Sequence, residues 1–132
     1  MAGKLNEQWC SVAGYEGMYD VSSLGRVCSL DRCRVGDHGA PTRVHGRILS
    51  QRLGNSGYPT VWLSRDAKAR AFSVHRLVAI AFLDRDASRA EVNHKDGDKT
   101  NNAASNLEWV SRGENVTHAY RTVGRRGWKR AA

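Results

Sequence analysis

The chain opens with isolated apolar residues set among polar ones, and gathers them into runs only later. Over residues 7–32 this pattern predicts short extended pieces around turns. Gly14 and Gly17 break the first half, Ser22-Ser23-Leu24-Gly25 reads as a turn, and Arg26-Val27-Cys28-Ser29-Leu30 reads as a strand leaving it. Residues 33–46 hold Gly36, Gly39, Pro41 and Gly46 and read as a loop. Arg47 to Leu53 and Tyr58 to Ser64 predict two strands, joined by Gly54-Asn55-Ser56-Gly57 with glycines where positive φ is tolerated. Arg70 to Val74 predicts a third strand. Leu77, Val78, Ile80, Ala81 and Phe82 then predict a short core helix.

The last third has a different rhythm. Glu91 to His94 is short and extended, Lys95 to Ala104 is polar, and Leu107 to Val110 is apolar and strand-like. Ser111-Arg112-Gly113-Glu114 has the S-x-x-E spacing of a capping box, so a helix is expected from about Arg112 to Thr122. Strand, loop, strand and helix make a ββα unit. The fold class is therefore α+β, with a small antiparallel sheet region followed by that unit.

At 132 residues, 40% hydrophobic and 26% charged, the chain suits one folded domain and not a disordered one. Charge narrows the function. There are 21 Lys+Arg against 13 Asp+Glu, a net charge of +8, which points to a nucleic-acid partner. The acids cluster at Asp84, Asp86, Glu91, Asp96 and Asp98, while the tail carries Arg121, Arg125, Arg126, Lys129 and Arg130 and no acid. An acidic island in a basic protein suits a cation site facing a polyanion. No apolar run approaches the ~18 residues that span a bilayer, so no membrane role is expected. Met1-Ala2-Gly3-Lys4 lacks the apolar centre of a signal peptide, and three cysteines argue for a reducing compartment. A cytoplasmic location follows as the expectation.

The segment Asn93-His94-Lys95-Asp96-Gly97-Asp98-Lys99-Thr100-Asn101-Asn102, with Asn106-Leu107-Glu108-Trp109-Val110-Ser111 and Glu114-Asn115, resembles an HNH nuclease motif of the phage and intron homing-endonuclease branch. Val74-His75-Arg76-Leu77-Val78-Ala79 and Ala81-Phe82 resemble the same branch. Glu7, Trp9, Gly14-Tyr15-Glu16-Gly17, Tyr19, Val21-Ser22, Leu24-Gly25-Arg26-Val27 and Ser29-Leu30-Asp31-Arg32 resemble a modular DNA-contacting segment at the front of such enzymes. The chain then divides into an N-terminal segment 7–32, a loop 33–46, strands and a helix over 47–83, a catalytic unit 84–122 and a basic tail 123–132.

The resemblance implies a metal-dependent endonuclease acting on double-stranded DNA, phage-borne, as a monomer that nicks or a dimer that cuts both strands. It implies a catalytic set of His94, Asn106 and His118. His94 is the general base, since an imidazole accepts a proton from water near neutral pH. Asn106 braces the loop so that the base points correctly, and His118 is an accessory on the helix. The metal ligands are Asn93 and Asn115, holding one divalent ion, Mg²⁺ or Mn²⁺. Asn93 departs from the Asp or His common in the family and brings no charge, although an amide oxygen suits a hard cation. That departure sustains a rival reading, a weak or dead HNH-type binding or packaging accessory.

Phosphate contacts are expected from Arg26, Arg32, Arg47, Arg52, Arg65 and Arg76, and the ribbon 47–65 suits a major groove. Asp96 is expected to hold loop amides, because Asp96-Gly97-Asp98-Lys99 lacks the later ligands of a calcium loop. Cys28, Cys33, His38 and His45 match no standard zinc spacing. His75 reads as a packing or capping residue, and Trp9, Trp62 and Trp109 as core.

Overall fold

In a computed structural model of the chain, residues 6–35, 39, 41–84 and 88–113 are described. The first antiparallel sheet is built from β1 (Trp9–Ser11), β2 (Tyr19–Ser22) and β3 (Val27–Ser29), in the order β1-β2-β3. β2 turns Tyr19 and Val21 inward by strand alternation, and both are buried. The buried Ser22 ends the strand: its hydroxyl accepts from the amides of Leu24 at 3.2 Å and Arg26 at 3.0 Å, which closes the turn into β3.

Residues 33–46 differ from the expected loop. β4 (Arg32–Val35) pairs antiparallel with β5 (Pro41–Val44), Cys33 opposite Arg43. Arg32, Cys33, Pro41, Thr42 and Arg43 are all exposed, so this hairpin buries no face that would stamp an alternating pattern on the sequence.

The strand expected over Arg47 to Leu53 is also redistributed. Its first part runs beside β3 instead, with Ser29 N donating to Arg47 O at 2.8 Å, Leu49 N to Val27 O at 2.8 Å, and a Cys28–Ile48 bridge. Only β6 (Arg52–Leu53) joins the second sheet, with β7 (Pro59–Arg65) and β8 (Lys68–Ser73). β7 and β8 meet at Asp66 and Ala67, both at positive φ, 54° and 62°, as a tight two-residue hairpin turn requires. Val61 and Leu63 face inward, which sends Trp62 outward at 57% exposure; it is not a core residue. Trp9, at 38%, also stands partly outside, whereas Trp109 is buried.

The helix α1 (Val74–Phe82) begins three residues before the first apolar position used to predict it. Val74, Leu77 and Val78 lie on one stripe at helical spacing and are buried, while Ile80 falls off the stripe and is 47% exposed. α1 packs on β1, β2, β7 and β8 and on the final ribbon of β9 (Glu91–His94) and β10 (Leu107–Val110). β9 and β10 pair antiparallel, with His94 opposite Leu107 and Asn93 opposite Glu108.

Val12, Tyr15, Tyr19, Val21 and Val27 from the front share one apolar cluster with Val61, Leu63, α1 and Val92, Leu107 and Trp109. The N-terminal segment and the final ribbon are thus two walls of a single core. Among the described residues no helix is long and apolar enough to cross a membrane. A helical turn begins at Arg112 and Gly113; the rest of the helix expected from there, with Asn115, His118 and the basic tail, lies outside the described residues.

Candidate active site

The site forms where β9 runs into the loop that follows it. Asn93 and His94 are both buried, at 6% and 5% exposure. Being adjacent on a strand, their side chains leave on opposite faces. Asn93 points to its cross-strand neighbour, its amide nitrogen donating to a Glu108 carboxylate oxygen at 2.8 Å. That bond commits the amide nitrogen, and the Oδ1 that remains is a hard oxygen of the kind a divalent cation takes. The donor chemistry of Asn93 therefore fits a metal ion. Among the described residues no three His, Cys, Asp or Glu side chains gather as a metal site, and Cys28, Cys33 and His45 form none. His38 lies outside the described residues.

His94 points the other way, toward α1. Its Nε2 lies 2.6 Å from Oδ1 of Asn102, itself buried. The His94 ring stands 5.8 Å from the Tyr58 ring and 5.1 Å from that of His75. His75 stacks on Tyr58 at 4.6 Å. Lys99 also lies over Tyr58, its Nζ 4.8 Å from the ring centroid and donating to Ser56 O at 2.8 Å. His75 is no cap: Ser73 is the N-cap residue, and the buried Nδ1 of His75 has no hydrogen-bond partner. Burial, with the neighbouring His94 and Arg76 charges, holds its pKa down to about 4, so His75 is neutral at physiological pH.

The loop is fixed by Asp96 and Asn106. The Asp96 carboxylate accepts from Asp98 N at 2.8 Å, Asn101 Nδ2 at 2.9 Å and Asn106 Nδ2 at 2.9 Å. These bonds keep its pKa below the ordinary carboxylate value, Asn101 contributing most. Asn106 returns its own Oδ1 to Asp96 N at 3.2 Å and donates to Asn101 O at 2.9 Å. Lys95 N donates to Asn106 O at 2.7 Å and Gly97 N to His94 O at 2.9 Å. Asn106 thus reaches His94 only through the loop, while Asp96 is occupied by loop amides, as its sequence context suggests.

The arginines expected on DNA divide into two groups. All six are exposed, and three of them, Arg26, Arg65 and Arg76, are also engaged by neighbouring residues. Arg26 pairs with Glu7, whose pKa falls to about 2 chiefly through that bond, and lies 5.5 Å over Trp9. Arg65 donates to Gly14 O and sits beside Asp66, and Arg76 donates to Ala90 O at 3.2 Å beneath Trp109. Two residues of the site escaped sequence reasoning. Nothing singles out Asn102 within an Asn-Asn pair, and only its burial against His94 does so. His75 carried a signal in its family-like context, but burial decides its place.

The chain matches a NUMOD4 motif over residues 7–64, past the 7–32 segment read from sequence, and an HNH endonuclease model over residues 72–117. It is similar to DNA endonuclease I-HmuI of Bacillus phage SP01, 37% identical over 109 residues that make up 83% of this chain and 55% of that protein. It is also similar to H-N-H endonuclease F-TflII of Escherichia phage T5, 34% identical over 83 residues, 61% of this chain and 42% of that one. The chain therefore spans about half the length of these relatives. A solved structure described as DNA binding and cleavage by the HNH homing endonuclease I-HmuI superposes with a TM-score of 0.70 at 33% identity, covering 93% of this chain and 62% of the other. The chain thus carries a NUMOD4 motif and an HNH endonuclease domain, and its small antiparallel sheets and helix match the fold of that HNH homing endonuclease.

Proposed function

We propose that the chain is a divalent-metal-dependent endonuclease that hydrolyses phosphodiester bonds of double-stranded DNA. One observation carries the reading: His94 and Asn93 sit side by side at the end of β9, each with one polar atom fixed by a neighbour and the other left for chemistry. The relatives' names support DNA as the substrate class, and the net charge of +8 suits a polyanion.

His94 takes a proton from water. The resulting hydroxide attacks phosphorus in line, the bond to the 3′ oxygen breaks, and that oxygen leaves with a proton from solvent, giving a 5′-phosphate and a 3′-hydroxyl. Asn106 and Asp96 hold the loop beneath the base, and neutral His75, tilted against it at 5.1 Å, adds no competing charge. Asn93, with Asn115 as the second ligand expected from the sequence, would hold one Mg²⁺ or Mn²⁺, which when bound stabilises charge on phosphorus and the leaving oxygen. His118, expected from the sequence to share a helix face with Asn115, would assist. Arg26, Arg32, Arg47, Arg52, Arg65 and Arg76 would provide phosphate contacts. A monomer would nick; a dimer would cut both strands. The enzyme would act in the cytoplasm, that of a bacterial host if the gene is phage-borne.

The uncharged Asn93 favours one second reading, a binding module with a weak or dead site. Supercoiled plasmid incubated with the chain in Mg²⁺, Mn²⁺ or EDTA separates the two. Open-circle or linear product with metal and none in EDTA supports the enzyme; gel-shifted but uncut DNA in every metal leaves the module.

A further inference from the structure

A base must present a lone pair, and a neutral imidazole has only one, on whichever nitrogen lacks the proton. In this protein Asn102 makes that choice. Its side-chain oxygen faces His94 Nε2 at 2.6 Å in a buried setting. An amide oxygen can only accept, so Nε2 must carry the hydrogen and Nδ1 must carry the lone pair.

Asn102 is in turn held from behind by the N-terminal segment. Gly25, at φ +92°, lies against it so closely that a Cβ there would stand 3.0 Å from both Asn102 Cβ and Asn102 O. Gly25 cannot retreat easily. Its N–H donates to Ser22 O at 3.0 Å, and its carbonyl accepts from Gln51 Nε2 at 2.8 Å. The same turn grips the chain two residues past Asn102, where Ala104 N donates to Ser23 O at 2.7 Å.

We propose that Asn102 is a positioning residue for the hydrolysis, fixing His94 as its Nε2–H tautomer, and that the Ser22–Gly25 turn of the N-terminal segment sets Asn102 in place. The proposal rests on the reading of His94 as the base. It makes the N-terminal segment part of the catalytic geometry as well as of the DNA-contacting surface. Deleting or distorting the Ser22–Gly25 turn should then slow cleavage even when DNA stays bound.

The test uses the full chain and the variants Asn102→Leu, Asn102→Asp, Gly25→Ala and His94→Ala. Three readouts are needed: single-turnover plasmid cleavage in Mg²⁺ or Mn²⁺, gel-shift affinity, and ring ¹⁵N spectra of histidine with the His94 signal assigned from His94→Ala. The native protein should show His94 with hydrogen on Nε2. Asn102→Leu, which has no acceptor, should cleave roughly 10–100-fold more slowly at unchanged affinity, the usual loss for a supporting residue, and should show a mixed tautomer. Asn102→Asp keeps an acceptor oxygen and should retain the tautomer, with cleavage within about tenfold of native, below the loss expected when the partner is removed. Gly25→Ala should reproduce the Asn102→Leu spectrum in part and slow cleavage several-fold. A native His94 with hydrogen on Nδ1 would overturn the proposal, and so would native-rate cleavage by Asn102→Leu. If Asn102→Leu does not fold, the native tautomer and Gly25→Ala decide the matter. Native-rate cleavage by His94→Ala would instead remove the base reading and this proposal with it, a failure visible apart from the tautomer.

Discussion

Lowering the pH from 7 to 4 should destabilise the native chain more than it destabilises a His75→Gln variant. In the unfolded chain an imidazole titrates near ~6.5. In the fold, burial at 8% exposure and the nearby His94 and Arg76 charges bring His75 down to about 4. Between those two values the unfolded state binds a proton that the native state refuses. Stability therefore rises with pH across this window: the contribution of neutral His75 is complete above the unfolded value and is lost as pH falls toward the folded one. A gap of about 2.5 pH units at about 1.4 kcal/mol per unit amounts to about 3.5 kcal/mol, a large share of a typical domain's 5–15 kcal/mol. Urea denaturation at several pH values between 4 and 7, native against His75→Gln, isolates this slope, because contributions from other titrating groups cancel in the difference. Only the slopes are compared, since removing the Tyr58 stack shifts the level. Parallel curves would refute the reasoning and show that the imidazole stays solvated or gains a partner on charging.

Three further outcomes follow from the same geometry. Asn106→Ala removes the bonds to Asp96 and Asn101 and should slow cleavage roughly 10–100-fold while DNA affinity in a gel shift stays close to native; equal losses in both would mean that the loop supports binding instead. Leu63→Ala, at a fully buried position, should cost about 2–5 kcal/mol by denaturant titration, and a cost under 1 kcal/mol would mean that β7 is not a core strand. Neutralising Arg47, Arg52 and Arg65 together should lower the salt slope of DNA binding by about 0.9 for each phosphate that the protein no longer neutralises, and an unchanged slope would remove residues 47–65 from the interface.

The final ribbon was the most legible part of the chain. β9 and β10 fall where the sequence puts them, because a fixed run of Asn, His and Asp between two short apolar strands allows few arrangements. The helix was legible as an element but not in its extent, since Val74 and His75 become helical only through the core they enter. The β4–β5 hairpin was illegible for a physical reason: both faces meet solvent, so no periodicity marks it. Residues 47–49 misled because an extended segment does not declare its partner, and here β3 takes it in place of β7. In the site, His94, Asn93 and Asn106 could be named from the resemblance to the HNH motif. Asn102 could not, since its role arises from the meeting of a loop near residue 100 and a turn near residue 25, which sequence distance hides.

The central claim is that His94 activates water, and plasmid cleavage tests it most directly. Supercoiled DNA should be incubated with native chain or with His94→Ala, each in Mg²⁺, Mn²⁺ or EDTA, after melting curves establish that both are folded. The account predicts metal-dependent open-circle or linear product from the native chain and a loss of roughly 10²–10⁴-fold in His94→Ala, the range expected for a proton-abstracting side chain. Equal cleavage by both proteins would contradict it.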